Sequence, residues 1–494
     1  MNRSFNSISA EQLARVLGPW SHSGAIYEDL ASAIRHVITD GRLQPDTRVP
    51  AERVLARHLG VSRNSVAAAY DLLREEGYLH SRRGAGSYVS LPTRAGTPRV
   101  VTWAADGTPA EIDFALAALP APEPLFTEAM VGTAAELAQH TGQTGYDLTG
   151  VPSLRKAIAD RYTLRGLPTR PEEIMVTNGA QQSWALLLRL LSGNGDRVLM
   201  ESPGHPTVHN AVRLAGGRPV SVSVGPAGWD VDMIRTTLQR ARPVLGYLMP
   251  DFQNPTGHVM PAAARRAVAV AAREAGTRLV VEDTVAELGI GPGLLPAPLA
   301  AYGTPARVIT IGSMSKVCWG GLRVGWIRTT ASMIARLARV RESMDAGNPI
   351  VQQFMTVRLL AGYDGLIVAR RRLLAERLRV LAGALRDQLP AWSFTEPPGG
   401  LVLWARLDRP VSTRLARAAA DHGVRVPAGP RFGLGGTFEN YLRVPFVQPP
   451  ETLVEGVRRL AQAERDLGGR DPGDAPGDGP GDGAKPSRLA LHSV

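Results

Sequence analysis

Residues 312–326, GSMSKVCWGGLRVGW, set the reading of the whole chain, because Lys316 stands in an otherwise apolar run. Lysine occurs only at Lys156, Lys316 and Lys485 among 56 basic residues. A guanidinium stays charged, whereas an ammonium whose pKa falls on burial releases its proton and attacks a carbonyl as a free amine. The position therefore points to Schiff-base chemistry, as with pyridoxal 5'-phosphate (PLP). Ser313 and Ser315 before the lysine offer hydroxyls, and Arg323 after it offers a forked cation suited to a phosphate dianion.

Outward from this stretch, apolar β-rich runs alternate with helical ones between about Tyr146 and Ala346. The strand candidates are Ile174 to Thr177, Arg197 to Glu201, Arg218 to Val222, Val244 to Met249, Leu279 to Asp283 and Arg307 to Gly312. Such alternation predicts a mainly parallel sheet covered on both faces, with ligands at the carboxyl ends of its strands. Gly179, Ala180 and Gln181 follow the first of these strands and open the helix QQSWALLLRLL, where free backbone N–H groups cradle a phosphate. Asn254, held by Pro255, is placed to donate to a phenolate oxygen. Asp283 ends the strand LVVED, where a carboxylate keeps a pyridine nitrogen protonated and makes the ring an electron sink. An NPTG turn or a strand-end Asp alone is weak evidence; the ordered set with Lys316 and Arg323 is specific.

The N-terminal part has a different organisation. Ile26 to Thr39 places Ile26, Leu30, Ile34 and Val37 on one helical face. A short helix over Ala51 to Leu59, a turn at Gly60 and a third helix capped by Ser62 and ending near Glu76 complete a helix-turn-helix. Its second helix is the element that enters a DNA major groove, with Arg63, Asn64 and Ser65 at the exposed end. The segment YLHSRRGAGSYVS, residues 78–90, predicts two short strands around Arg82, Arg83 and a Gly-Ala-Gly tip, the form of a wing. Residues 92–111 lack either period and are rich in Pro, Gly and Thr, as a linker is. Beyond residue 466, a Pro-, Gly- and Asp-rich tail cannot bury a core and is expected to be disordered.

Composition sets bounds. The chain of 494 residues holds two or three domains, and a net charge of +11 is a weak vote for an anionic partner. One cysteine, Cys318, excludes an intrachain disulfide and fits a reducing compartment. No apolar run reaches 18 residues and the N-terminus has no leader-like core, so a cytoplasmic protein without a membrane partner is expected. No metal site is expected.

The segment VPAERVLARHLGVSRNSVAAAYDLLREEGYL with the following R-x-G-x-G resembles the winged helix of GntR-family transcription regulators. Residues 112–466 resemble a fold-type I, class I/II aminotransferase domain, with a small C-terminal α/β subdomain. The combination is that of the MocR (GabR-like) subfamily. The resemblance implies a winged helix over residues 21–91, with DNA contacts at Arg53, Arg63, Asn64, Ser65, Arg82, Arg83 and Gly86. It implies PLP bound through Lys316, with Asp283 on the pyridine nitrogen and Asn254 on the 3'-oxygen. Gly179, Ala180, Gln181, Ser313, Ser315 and Arg323 would hold the phosphate, and Arg443, in NYLRVPF, a ligand carboxylate. Tyr146 and Gly150 match the family's segment near the site.

Two departures stand out. After Glu282, Asp283 and Thr284 the family's tyrosine is Val285, and the ring-stacking aromatic is His205. Both weaken the expectation of turnover more than that of binding. The resemblance thus implies a homodimeric, PLP-binding regulator of a double-stranded DNA operator, responding to PLP or an amino compound and controlling vitamin B6 or amino-acid genes. The dimer would be head-to-tail, each winged helix lying on the other chain's large domain. Two alternatives stay open: a working aminotransferase with an accessory DNA-binding domain, and a regulator that no longer binds the cofactor.

Overall fold

The structure is a computed structural model that describes residues 7–20, 25–82, 86–92, 110–291, 295–433 and 436–468. Arg83, most of the linker and the tail from residue 469 lie outside the described residues.

Four helices build the N-terminal module: α1 (Ala10–Leu17), α2 (Ile26–Thr39), α3 (Glu52–Leu59) and α4 (Arg63–Glu75). The first was not expected. Ser9 Oγ accepts the Gln12 N–H at 3.1 Å and Gln12 Oε1 accepts the Ser9 N–H at 3.0 Å, a reciprocal cap that starts α1. Leu13 and Leu17 then join Leu30, Ile34, Val37, Leu55, Val66 and Leu73 in one core, so this module begins before residue 21. Ile26 is 40% exposed, and the apolar face of α2 starts at Leu30. Gly60 closes α3 in the left-handed region and Ser62 caps α4 by accepting the Ser65 N–H at 3.0 Å. The wing is the antiparallel pair β1 (Leu79–Arg82) and β2 (Gly86–Val89).

A short β3 (Ile112–Asp113) leads into the large unit. Its sheet contains β4 (Ile174–Thr177), β5 (Arg197–Ser202), β6 (Arg218–Gly225), β7 (Gly228–Trp229), β8 (Leu245–Leu248), β9 (Arg278–Glu282), β10 (Val308–Ser313) and β11 (Gly325–Arg328). The order is β4-β11-β10-β9-β8-β5-β6-β7. Strand β11 runs antiparallel to both β10 and β4, so β4 still points the same way as β5, β6, β8, β9 and β10. Their carboxyl ends gather Asn178, Pro203, Met249, Asp283 and Met314 along one edge. One face of the sheet packs Val280 and Ile311 on Trp184 and Leu187 of helix Ala180–Leu191. The other packs Val281 with Tyr162 and Leu359. The C-terminal part adds β12 (Val402–Arg406), β13 (Val424–Arg425) and β14 (Tyr441–Pro445) to the long helices Tyr363–Gln388 and Pro450–Gly468.

The winged helix rests on the large unit of its own chain. Asn440 Nδ2 donates to the buried Asp40 carboxylate at 2.6 Å, and the Phe438 N–H donates to the Thr39 carbonyl at 2.8 Å. Phe438 has φ of 72°, a region costly for a residue with a side chain, and its ring lies on Gly41, where a Cβ would meet it at 2.1 Å. Ser223 Oγ donates to the Gly41 carbonyl at 3.0 Å from β6.

Candidate cofactor-binding site

The edge where the parallel strands end opens into a cavity of about 510 Å³ that brings together Lys316, Ala180, Gln181, His205, Asn254, Ser315 and Arg323. Lys316 follows β10 in a tight turn, and its Nζ donates to the Ala117 carbonyl at 2.8 Å. Burial first, and then the charge of Arg443, lower its pKa to about 8, against a smaller opposite effect of Glu282. A free amine is therefore accessible near neutral pH.

Gly179 caps the helix Ala180–Leu191 with φ of 84°, and a Cβ there would come within 2.8 Å of Arg323 Nη2. Only glycine lets the guanidinium close over the helix N-terminus. Arg323 is itself held in the left-handed region, φ 53°, with Nη2 donating to the Asn178 carbonyl at 2.6 Å. His205 precedes the helix Pro206–Leu214 and has Nδ1 2.7 Å from Thr207 Oγ1. Burial, Arg443 and Lys316 hold its pKa well below the usual histidine range, so the ring is a neutral platform. Asn254 lines the cavity, and its Oδ1 atom is buried without a hydrogen-bond partner among the described residues. Val285 lines the same cavity.

Arg443, on β14, is fully buried, donates to the Ala115 carbonyl and lies 4.9 Å from the Phe432 ring centroid. Burial and the neighbouring Arg431 depress its pKa, a tension that an anionic ligand relieves.

Four expected members do not line the cavity: Gly179 and Arg443, which stand behind Arg323 and Lys316, and Asp283 and Ser313. Asp283 turns to the opposite face of β9, where its carboxylate, with its side chain 4% exposed, takes two hydrogen bonds from Arg165, at 2.6 and 3.1 Å. Successive residues of a strand point to opposite faces, so the carboxylate that enters the Lys316 cavity is Glu282. Ser313 is buried behind the turn: its Oγ donates to the Val324 carbonyl at 3.1 Å and accepts the Ser315 N–H at 3.2 Å. It supports Ser315 and does not line the cavity with it.

Tyr146 is 78% exposed and borders a separate surface hollow with Met344 and Asp345. Gly150 has φ of 101° and lies so close to Val176 that a Cβ would meet it at 2.3 Å. Sequence reasoning missed Glu282, Tyr247, Thr284 and Arg165; the alternation of faces along LVVED was the available signal for the first.

On the winged helix, Arg53, Arg63 and Asn64 are exposed, as DNA contacts must be, while Ser65 is half-buried with its Oγ 2.9 Å from Ser62 Oγ. Arg82 pairs with Asp46 at 2.8 Å and lies over the Tyr88 ring. Gly86, φ 99°, leaves room for Arg48, whose Nε would stand 3.0 Å from a Cβ there.

A family model for class I and II aminotransferases matches residues 112–460, and one for bacterial regulatory proteins of the gntR family matches residues 26–89. The probable rhizopine catabolism regulatory protein MocR of Rhizobium meliloti is 30% identical over 469 residues, covering 89% of this chain and 93% of that one. The chain belongs to the MocR-type GntR family. This MocR-type chain is also 30% identical to the pyridoxine biosynthesis regulator PdxR of Corynebacterium glutamicum, over 85% of its own length and 94% of that protein. Its large unit is similar to the crystal structure of LysN, the α-aminoadipate aminotransferase of Thermus thermophilus, solved with N-(5'-phosphopyridoxyl)-L-leucine. The TM-score is 0.66 and the identity 33%, over 72% of this chain and 92% of LysN.

PLP is the cofactor of this family, and the residues of the cavity fit it. Lys316 would hold its aldehyde carbon, the Gly179–Arg323 cradle with Ser315 its phosphate, His205 its ring face and the Asn254 Nδ2 amide its 3'-oxygen. When bound, PLP supplies an aldehyde that condenses with an amine, releasing water, and a pyridine ring that accepts electrons. Among the described residues, no helix is long and apolar enough to cross a membrane.

Proposed function

We propose that this regulator binds its operator as a homodimer and that occupancy of the Lys316 cavity by PLP, or by PLP with an amino compound, sets its DNA affinity. One observation carries the reading: a single segment, Gly429 to Arg443, touches both sites. At one end Arg443 stands behind the cavity, near enough for its charge to lower the pKa of both Lys316 and His205, and the Phe432 carbonyl accepts the Gly204 N–H at 2.8 Å beside His205. At the other, Phe438 and Asn440 grip Gly41 and Asp40 of the winged helix. A ligand changes DNA affinity only by favouring one arrangement over another. A segment that seats a ligand-binding arginine and a strained phenylalanine is suited to that.

Dimerisation is supported by apolar residues left uncovered on one chain: Met130 is 53% and Val131 67% exposed on the helix Leu125–Leu137, and Trp319 is 39% exposed near the cavity. Tyr146, so exposed on its own chain, would meet the cofactor only from a partner. Val285 removes a hydroxyl donor from the 3'-oxygen, which favours PLP itself as the effector; genes of vitamin B6 or amino-acid metabolism are the targets that the family resemblance implies. DNA recognition is assigned to Arg53, Arg63, Asn64, Ser65, Arg82 and Gly86 with Arg48 added, and to Arg83.

The test is enrichment of a randomised duplex pool by the purified protein, followed by titration of the enriched duplex with and without PLP. A several-fold change in DNA affinity is expected, absent in Lys316→Ala; equal affinities in all four titrations would remove the sensor reading. A second reading, a transaminase with an accessory DNA-binding domain, is favoured by the buried Arg443. Sustained turnover with an amino acid and a keto acid would select it.

A further inference from the structure

The two adjacent carboxylates at the end of β9 are divided between two tasks, and the division differs from the one their order in the sequence suggested. Asp283 lies in a small enclosed space with Tyr162, Arg161 and Tyr363, and its two oxygens are spent on Arg165. Glu282 lies on the other face, in the cavity of Lys316, Asn254 and His205.

Resting on the cofactor reading above, we propose that Glu282, oriented by Tyr247 and Thr284, is the carboxylate that faces the pyridine nitrogen of bound PLP. Tyr247 Oη donates to Glu282 Oε2 at 2.5 Å, and Thr284 Oγ1 donates to Glu282 Oε1 at 2.6 Å. An ionised carboxylate accepts about four hydrogen bonds, so one donor on each oxygen leaves lone pairs for a ring N–H. A carboxylate held there faces the ring nitrogen with an acceptor, the arrangement that keeps a proton on a pyridine nitrogen. Tyr247 is well placed to fix the geometry: its ring meets Trp184 edge-on at 4.8 Å, and its hydroxyl, pushed well up by burial and Glu282, remains a donor. Glutamate is one methylene longer than aspartate, and this pair of hydroxyls supplies the restraint that the longer side chain needs. Glu282 touches the cofactor; Tyr247 and Thr284 are positioning residues.

The experiment loads the full-length protein with ring-¹⁵N-labelled PLP and reads the nitrogen by NMR and the lysine–cofactor visible band against pH. The wild type is compared with Glu282→Gln, Asp283→Asn, Tyr247→Phe and Glu282→Asp. The expected result is a protonated ring nitrogen in the wild type and in Asp283→Asn, and an unprotonated one in Glu282→Gln. Tyr247→Phe is expected to move the pH midpoint of the band part of the way, and Glu282→Asp to restore the protonated nitrogen. Should Asp283→Asn fold poorly, Glu282→Gln and Tyr247→Phe still decide. A nitrogen that loses its proton in Asp283→Asn and keeps it in Glu282→Gln would overturn the assignment while leaving the cofactor reading intact. Absence of any cofactor signal in the wild type would overturn both.

Discussion

Arg165 and Asp283 meet through two hydrogen bonds, Nη1–Oδ2 at 2.6 Å and Nη2–Oδ1 at 3.1 Å, on the face of the sheet turned away from Lys316. The pair ties the helix Pro152–Leu164 to the end of β9, because Arg165 is that helix's C-cap residue. Removing one partner leaves the other buried and uncompensated, which costs roughly 3 kcal/mol. Arg165→Ala is therefore expected to lower the urea midpoint clearly while leaving the loaded protein's visible band where it was. A band that shifts with Arg165→Ala at unchanged stability would give this pair a role in the cofactor site.

Lys316 sets the pH dependence of loading. Its pKa is lowered, so the reactive amine accumulates as pH rises through about 8. The rate of cofactor capture by apo-protein is expected to climb from pH 6 and level off above about 9. A rate still climbing at the ordinary lysine value of 10.5 would show that the amine is not depressed.

The legible and illegible parts of the chain differ for physical reasons. Helix α2 and the six strand candidates carry their period in apolar side chains, and all appear within a few residues of the expected bounds. Strand β11, GWIR, is short and begins within the lysine stretch itself, so no separate apolar run announces it. Helix α1 depends on the Ser9–Gln12 cap and on the packing of Leu13 and Leu17 against α2 and α3, which a local reading does not reveal. In the site, residues fixed by loop chemistry were found: Lys316, Asn254, Gly179 and Arg323 share one cavity or its cradle. Asp283 and Ser313 were misplaced because neighbours in sequence are separated by the face they occupy.

Gly41 tests the contact between the two units. A Cβ at this position would meet the Phe438 ring at 2.1 Å, and the backbone there has φ of 70°. Gly41→Ala is expected to loosen the winged helix from the large unit, so that calorimetry resolves two transitions in place of one and PLP loses its effect on DNA affinity. A single transition with PLP response retained would show that this contact does not couple them.

The exposed end of α4 carries the DNA prediction. Arg63 is paired only loosely, 3.6 Å from Glu52, and is 68% exposed. Arg63→Ala is expected to weaken operator binding and, if the contact is to a phosphate, to reduce the salt slope by about 1. Ser62→Ala, which removes the cap on the same helix, is expected to cost about 1 kcal/mol of stability. An Arg63 variant with unchanged affinity at every salt concentration would remove this residue from the interface.

Borohydride trapping with mass mapping reads the attachment of PLP to Lys316 itself. The purified protein is incubated with PLP, reduced and digested, and the peptide containing Lys316 is weighed. One reduced phosphopyridoxyl group on Lys316 is expected, with a visible band that disappears on reduction, and neither in Lys316→Ala. Modification spread over Lys156 and Lys485 with none at Lys316, or an identical band in the Lys316→Ala variant, would contradict it.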